Sequence, residues 1–175
     1  MCHPFVRPCG SGLIFLAHLC ASAADLGTQV SEAIEPLRSD QGHWRRGVSP
    51  DSLHFRESNE HEAVWAIGAE RQLDNHWLYG GSFFSNSFGQ PSGYVYFGRQ
   101  HPGLLELPQQ LYLQWSVGLM YGYKGAYQHK VPLNYRGFSP GALFSVGWQI
   151  TPQFATQLNL LGDAGMMLQL SFRWR

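Results

Sequence analysis

The chain has 175 residues, which is enough for one domain, and its acidic and basic residues balance to a net charge of zero. Only 14% of the residues are charged, and no basic cluster stands out along the sequence. This composition excludes the positively charged surface that nucleic acid requires, so no nucleic-acid partner is expected.

The first 23 residues have the features of a secretory signal peptide. Arg7 precedes the apolar stretch GLIFLAHLC, and small residues follow at Ala21-Ser22-Ala23. This order is typical of an export signal, and the apolar stretch is too short to cross a membrane as a helix. All cysteines of the chain lie in this segment (Cys2, Cys9 and Cys20). The exported chain is therefore expected to have no disulfide, no thiol chemistry and no cysteine metal site, and no metal or other cofactor is implied.

Residues 24–46 predict a short amphipathic helical segment. Val30, Ala33, Ile34 and Leu37 recur at helical spacing with polar residues between them, and Pro36 shortens or bends the helix. Such a helix could lie on a membrane surface or pack on a soluble core, and the residues alone leave both interpretations open.

From residue 47 onward, apolar and polar residues alternate as in β-strands. The clearest segment is LYLQWSVGLMY, from Leu111 to Tyr121, where Leu, Trp and Val occupy one face and Gln, Ser and Gly the other. Strands are predicted near 48–57, 63–72, 76–85, 92–100, 110–122, 138–150, 153–161 and 165–174. The polar face carries Gln, Ser and Arg, which suit a lumen better than the core of a soluble sandwich or lipocalin-like protein. We therefore predict an all-β fold, an eight-stranded antiparallel outer-membrane β-barrel over residues 47–175 with a short N-terminal amphipathic helix.

The barrel topology assigns a side to each connection. Both ends of an even-stranded barrel lie in the periplasm, where connections are short. The connections at 57–62, 86–92, 123–137 and 161–165 are therefore predicted at the cell surface. Eight strands enclose a narrow interior filled by side chains, so a wide pore is not expected. The expected state is a monomer in the bacterial outer membrane.

Two residues at the cell-surface rim are candidates for acyl-transfer chemistry. His54 lies near the end of the first predicted strand, and Ser87 lies in the connection after the third. A histidine within reach of a serine can take the hydroxyl proton as the oxygen attacks a carbonyl. A third, orienting group could be Glu57, Glu62 or Asp163. The alternative is that Ser87 is an ordinary turn residue and His54 a hydrogen-bonded group of the lumen.

Cationic residues beside tyrosines mark a second candidate region. The segment YKGAYQHKVPLNYRG places cations next to aromatic residues at the predicted membrane surface, an arrangement that suits phosphate-bearing lipid headgroups. A solvated loop with an aromatic belt is the alternative. The candidate lipid or phosphate contacts are Arg56, Lys124, His129, Lys130 and Arg136.

Two segments resemble those of the outer-membrane lipid A palmitoyltransferases, which are small barrels with an N-terminal amphipathic helix. SLHFR is similar to the segment that holds their histidine, and WLYGGSFFSNSFGQ to the one that holds an aspartate-serine pair. The resemblance implies a catalytic set of His54 and Ser87, with Asn86 at the position of the family's aspartate. It also implies gaps in the strand ladder near Pro50 and Pro140, where the missing N–H leaves a ladder hydrogen bond unmade.

The same region also resembles a second group, the small proteobacterial barrels labelled sn-glycerol-3-phosphate transporters. The shared segments are WLYGGSFFSNSFGQ and YGYKGAYQHKVPLN. A lipid A 3-O-deacylase is not indicated, because that family requires a serine two residues after a histidine. Arg56 follows His54 at that spacing, and Leu78 follows His76.

The predicted function is transfer of an acyl chain from a phospholipid to lipid A or another surface lipid, with phospholipid and lipopolysaccharide as partners. The chain would enter the upper lumen beside the small residues Gly80, Ser82, Ser116 and Gly118. The alternative is a non-enzymatic barrel that binds or passes a small phosphorylated solute.

Overall fold

The computed structural model describes residues 28, 31, 34–38, 41–54, 62–103, 108–162 and 165–174, with Pro36 and His54 described by their backbone alone. The predicted signal peptide at 1–23 lies outside the described residues. The same holds for two positions of the predicted helix, Val30 and Ala33.

The N-terminal unit ends at Arg38 and is helical where it is described. Thr28, Ser31 and Ile34 have helical backbone, and a 3-10 turn follows over Glu35–Arg38. Glu35 and Arg38 form an exposed ion pair across this turn at 3.5 Å, which stabilises it only weakly. No helix of the described residues is long and apolar enough to cross a membrane.

The second unit, from Ser39 onward, is a closed antiparallel β-barrel. Its described strands are β1 (Gly42–Ser49), β2 (Ser52–His54), β3 (Ala66–Leu73), β4 (Trp77–Ser85), β5 (Pro91–Pro102), β6 (Leu111–Tyr121), β7 (Phe138–Gln149), β8 (Phe154–Leu160) and β9 (Gly165–Trp174). From β3 onward, each strand pairs with its successor. Because β1 and β2 both pair with β9, they share one position in the wall. The sheet therefore closes with eight positions, which confirms the predicted fold class.

The apolar residues of the alternating sequence lie on the outer face of the wall, and the polar residues lie on the inner face. Large apolar side chains are exposed on the outside, among them Val48, Ile67, Val95, Leu119, Phe144 and Leu168. The buried positions between them are mainly polar, including Arg45, Gln72, Gln114, Ser145, Gln157 and Asn159. A side chain on every second residue points inward, so a strand with an apolar outer face can carry a polar inner one.

The first wall strand begins earlier than the sequence predicted. Strand β1 starts at Gly42, so the barrel begins there and the predicted starts at residue 47 for the barrel and 48 for the strand are wrong. Two adjacent arginines interrupt the apolar-polar alternation of this strand, because one points to each face of the wall. Arg45 is buried in the lumen, and the guanidinium of Arg46 stacks on the outward Trp174 ring at 3.4 Å. Both environments are compatible with a strand, but neither is visible in an apolar-polar pattern.

Two breaks in the hydrogen-bond ladder lie at prolines. Strand β9 pairs with β1 up to Val48 and resumes with β2 at Ser52, so the ladder is interrupted around Pro50. Strand β7 pairs with β8 only from Phe144, although β7 begins at Phe138. Among the described residues, the segment that contains Pro140 therefore has one partner strand, β6. These are the positions at which the palmitoyltransferase resemblance implied gaps.

The two ends of the barrel differ in their connections. One end, here called the turn end, carries the connections at 74–76, 103–110 and 150–153 together with the start of β1 and the end of β9. The opposite end, here called the loop end, carries the connections at 86–90 and 122–137. The loop end thus corresponds to the predicted cell-surface side.

Candidate functional site at the loop end

The lumen is filled by hydrogen-bonded polar side chains. Tyr112 donates to Gln157 at 3.1 Å, and Asn159 accepts from Ser145 at 2.7 Å and from Gln157 at 2.6 Å. The amide of Asn159 in turn donates to Gln169 at 3.1 Å. Such a network satisfies groups that would otherwise be costly to bury, and it occupies the centre of the barrel.

A second part of the lumen is organised around a carboxylate. Glu70 accepts hydrogen bonds from Tyr96 at 3.2 Å and from Gln114 at 3.1 Å. The cavity that remains between these groups has a volume of about 60 Å³. This is room for about two water molecules and not for an acyl chain.

The glycines that were expected to leave room in the lumen are used by the backbone instead. A Cβ added at Gly80 would lie 2.5 Å from the carbonyl oxygen of Ala69, and one at Gly118 would overlap the carbonyl oxygen of Val95. These residues allow neighbouring strands to approach closely. The expectation that an acyl chain enters beside them is therefore wrong for the described lumen.

At the loop end, Asn86 braces the turn that carries Ser87. Asn86 is 1% exposed, and its Oδ1 accepts hydrogen bonds from the backbone N–H of Phe88 at 3.0 Å and of Gln90 at 3.1 Å. This is an Asx turn, and Gly89 completes it with φ of 70°. The Asn86 side chain thus fixes the turn from inside.

Ser87 is half-buried in that turn and is contacted from two sides. Its side chain hydrogen-bonds that of Tyr123, the residue that follows the end of β6 by two positions. Burial raises the pKa of Tyr123, and the hydrogen bond with Ser87 lowers it by a smaller amount. The phenol is therefore neutral at physiological pH and can donate or accept a hydrogen bond.

Glu62 is the acidic residue that the described structure brings to this turn. Its backbone N–H donates to the carbonyl oxygen of Ser87 at 2.9 Å. Its carboxylate lies so close above Gly89 that a side chain at that position would overlap it. The sequence proposed Glu57, Glu62 and Asp163 as orienting groups. Glu57 and Asp163 lie outside the described residues, as does Arg56.

His54 is the last residue of β2, and its backbone pairs with Gly165 at the start of β9. Its wall position is two strands away from the end of β4, where the Ser87 turn begins. Both residues therefore belong to the loop end of the barrel. Their pairing as base and nucleophile stays a prediction, because the structure describes the histidine by its backbone alone.

An aromatic and cationic platform covers the Ser87 turn. Phe88 stacks on Tyr127 with ring centroids 4.2 Å apart and meets Tyr123 edge-on at 6.0 Å. The Nζ of Lys130 lies 5.4 Å above the Phe88 ring. The sequence predicted cations beside tyrosines in this segment, but it did not indicate that Phe88 would join them.

The cations of the platform differ in their surroundings. Lys124 is tied through its backbone to the Gln90 side chain, and its Nζ lies 4.5 Å from the Tyr121 ring centroid. Arg136 lies over Tyr135 at 5.4 Å, and the exposed His129 contacts Gln128 at 3.3 Å. Exposed cation–π pairs contribute modestly to stability. The side chains of Lys124, His129, Lys130 and Arg136 are all exposed and can contact an anionic partner.

The outer surface of the barrel has the composition of a surface in contact with lipid. Its outward wall is apolar, and aromatic pairs border it at both ends: Trp44 with Tyr79 at the turn end, and Trp65 with Phe83 at the loop end. The strands close into a barrel, and an apolar band between aromatic girdles is the surface of a transmembrane β-barrel. The protein is an outer-membrane barrel.

Comparisons with known proteins add a fold-level likeness. No known protein-family model matches the chain, and no curated protein matches it. Among solved structures, the chain is similar to the outer membrane protein Ail of Yersinia pestis, whose backbone structure was determined in a phospholipid bilayer nanodisc. The identity is 13% and the TM-score 0.45, and the match covers 77% of this chain and 100% of Ail.

Proposed function

We propose that the barrel transfers an acyl chain from a phospholipid to lipid A or another surface lipid at its loop end. The observation that carries this proposal is the placement of Ser87. Its side chain is half-buried, hydrogen-bonded to Tyr123, and held in a turn that Asn86 braces from inside. A hydroxyl that is fixed in this way at the membrane surface is positioned to meet an ester carbonyl of a lipid.

The proposed chemistry uses Ser87 as the nucleophile and His54 as the base. His54 takes the proton as the Ser87 oxygen attacks the acyl carbonyl, and it returns the proton to the glycerol oxygen of the departing lysophospholipid. His54 then takes the proton of an acceptor-lipid hydroxyl as that oxygen attacks the acyl carbonyl, and it returns the proton to the Ser87 oxygen as the serine ester bond breaks, which regenerates Ser87. Asn86 positions the turn, and Glu62 is the acidic group beside it.

Two features support access of lipid to this end of the barrel. The ladder is interrupted at Pro50, and the segment around Pro140 pairs with β6 alone among the described residues. Such openings allow an acyl chain to approach the rim from the side. The lumen cavity of about 60 Å³ implies that the chain stays at the wall and does not fill the interior.

The exposed cations of the platform supply a place for the acceptor. Lys124, Lys130 and Arg136 would contact phosphate groups of lipopolysaccharide in the outer leaflet, with His129 and Arg56 as further contacts. The segment between residues 108 and 162 contains no Asp or Glu, so nothing in it opposes an anionic headgroup. The barrel would act as a monomer.

The alternative function, passage of a phosphorylated solute, receives less support from the lumen. The network around Glu70, Tyr112 and Asn159 crosses the described interior, and a solute would have to displace it. The exposed cations at the rim suit a phosphorylated solute as well as they suit a lipid headgroup. A measurement of acyl transfer therefore distinguishes the two functions.

The test is the mass of lipid A from cells that do or do not express the protein. We expect expression to add the mass of one acyl chain, and Ser87→Ala and His54→Ala to abolish the addition. Ser85→Ala is the matched control, because Ser85 lies two residues away in β4 and its hydroxyl only contacts the Asn86 carbonyl at 3.5 Å. An unchanged lipid A mass with folded protein in the membrane would overturn the proposal.

A further inference from the structure

A wide groove of the described barrel lies on the outside of the wall. Its volume is about 730 Å³, compared with about 60 Å³ for the cavity in the lumen. Phe83, Val95, Tyr121 and Phe138 line it, and Arg46 belongs to β1, the strand at one end of the row of strands that line the groove. The groove is otherwise apolar, and it faces the lipid.

The floor of the groove contains glycines that the backbone does not require. A Cβ added at Gly81 would lie 3.5 Å from the nearest atom, and one at Gly93 would lie 3.7 Å from it, which are ordinary contacts. In contrast, an added Cβ at Gly80 or Gly118 would collide with a neighbouring strand. Glycine is unfavourable in a strand interior unless something approaches closely. At Gly81 and Gly93 no protein atom does so, and the space above them is the groove.

The charge at the end of the groove is the second observation. Arg46 is exposed on the lipid-facing wall, with its guanidinium stacked on Trp174. Among the described residues, no ion pair involves Arg46. A guanidinium on a lipid-facing wall is unfavourable unless it lies near the interface or finds a polar partner. A phosphate matches its planar, bidentate geometry.

The direction of the groove fits a lipid with its headgroup at Arg46. The direct cross-strand neighbours of Arg46 are Ala69, then Gly81, Val95 and Leu119. Arg46 lies four residues from the turn end of β1, whereas Leu119 lies two residues from the loop end of β6. The row therefore rises toward the loop end, while the guanidinium of Arg46 lies over Trp174 at the turn end of β9.

We propose that this groove binds one phospholipid, with its phosphate on Arg46 and an acyl chain over Gly81 and Gly93. The site is separate from the Ser87 turn and does not depend on acyl transfer. It makes the barrel a specific lipid binder through its outer wall, in addition to the general contact that any transmembrane barrel has with the bilayer.

The test is native mass spectrometry of the detergent-purified full chain with phosphatidylglycerol, or with diacylglycerol of the same acyl chains. We expect one tightly held phosphatidylglycerol per barrel and much weaker retention of diacylglycerol. Gly81→Val fills the groove, and Arg46→Gln removes the charge. Each is expected to weaken phosphatidylglycerol binding by about tenfold or more, which corresponds to the loss of one good polar or packing contact.

Two matched controls test the location. Ala142→Val enlarges an exposed residue of β7 outside the groove, and Arg173→Gln removes an exposed charge from β9 outside the groove. Both should bind phosphatidylglycerol like the unmodified barrel. Heat-dependent electrophoretic mobility checks that each variant is folded, and Gly81→Val keeps the test valid if Arg46→Gln does not fold.

Three results would overturn the proposal. The first is equal phosphatidylglycerol binding by Gly81→Val and the unmodified chain. The second is equal retention of diacylglycerol and phosphatidylglycerol by the unmodified chain. The third is a dimer that Gly81→Val abolishes, since it would mean that a second copy of the chain occupies the groove.

Discussion

The inner and outer faces of the same wall use glycine in opposite ways. On the inner face, Gly80 and Gly118 allow strands to approach, and the space around them is filled by hydrogen-bonded side chains. On the outer face, a Cβ added at Gly81 or Gly93 would make only ordinary contacts, and both glycines line or adjoin the groove. The difference indicates that the lumen stabilises the barrel, whereas the outer wall and the loop end are the parts available to lipids.

The largest expected difference between the two faces comes from adding one methyl group to a glycine of each. Gly118→Ala places a Cβ against the carbonyl oxygen of Val95, so β5 and β6 must separate. We expect a loss of about 3 kcal/mol in the free energy of unfolding, because the backbone itself has to move. Gly93→Ala, its control on the outer face, should change that free energy by less than about 0.5 kcal/mol. Urea unfolding in detergent micelles measures both, and equal losses would contradict the comparison.

The polar network of the lumen is the next largest contribution. Asn159→Ala removes hydrogen bonds to Ser145, Gln157 and Gln169 and leaves buried polar groups unpaired. We expect a loss of about 2 kcal/mol in the same unfolding experiment. Thr156→Ala, on the outward face of the same strand, is the control and should have little effect. A lumen variant as stable as the control would show that the network is not needed for stability.

The turn at the loop end should respond more in function than in stability. Asn86→Ala removes two hydrogen bonds to backbone N–H groups, with an expected loss of about 1 kcal/mol or slightly more. Because the turn also places Ser87, the change in lipid A mass should disappear while the barrel remains folded. Asn86→Asp retains an Oδ1 acceptor and should preserve the turn. Activity that survives Asn86→Ala unchanged would show that Ser87 is not positioned by this residue.

The smallest effect concerns pH at the same site. Burial raises the pKa of Tyr123, so the folded state holds the phenolic proton more tightly than the unfolded state does. The resulting stability is present below the ordinary tyrosine pKa of about 10 and is lost as the pH rises through the higher folded-state value.

Tyr123→Phe tests this dependence because it removes the titrating group and keeps the ring. Between about pH 8 and about pH 11, the unfolding midpoint should fall less for Tyr123→Phe than for the unmodified chain. Tyr121→Phe is the control, since it changes a neighbouring tyrosine on the outward face. Identical pH dependence in the unmodified chain and Tyr123→Phe would remove any role for the buried phenol.

The sequence predicted the wall strands where apolar and polar residues alternate without interruption. Strand β6 was predicted at 110–122 and lies at Leu111–Tyr121. The first strand was predicted to start too late, because Arg45 and Arg46 break the pattern on both faces. Cation–π stacking and a lumen network are tertiary contacts, and a single strand's alternation does not reveal them.

The candidate site was predictable in its residues and only partly in its geometry. Ser87 and Asn86 were identified from the sequence, and the hydrogen bonds to Asn86 are local to its turn, but the contact of Ser87 with Tyr123 depends on how two connections meet. Glu62 was one of three acidic candidates, and its contacts with the Ser87 turn are visible only in the folded structure. Gly80 and Gly81 are neighbours in sequence, and their different roles follow from which strands lie beside each face.

The central claim is that Ser87 and His54 transfer an acyl group at the loop end. Its most direct test incubates the purified barrel with a phospholipid labelled in one acyl chain and with lipid A, and follows the label. We expect labelled lipid A with the unmodified chain and with Ser85→Ala, and none with Ser87→Ala or His54→Ala. Label that stays in the phospholipid with the folded, unmodified chain, or equal transfer by Ser87→Ala, would contradict the claim.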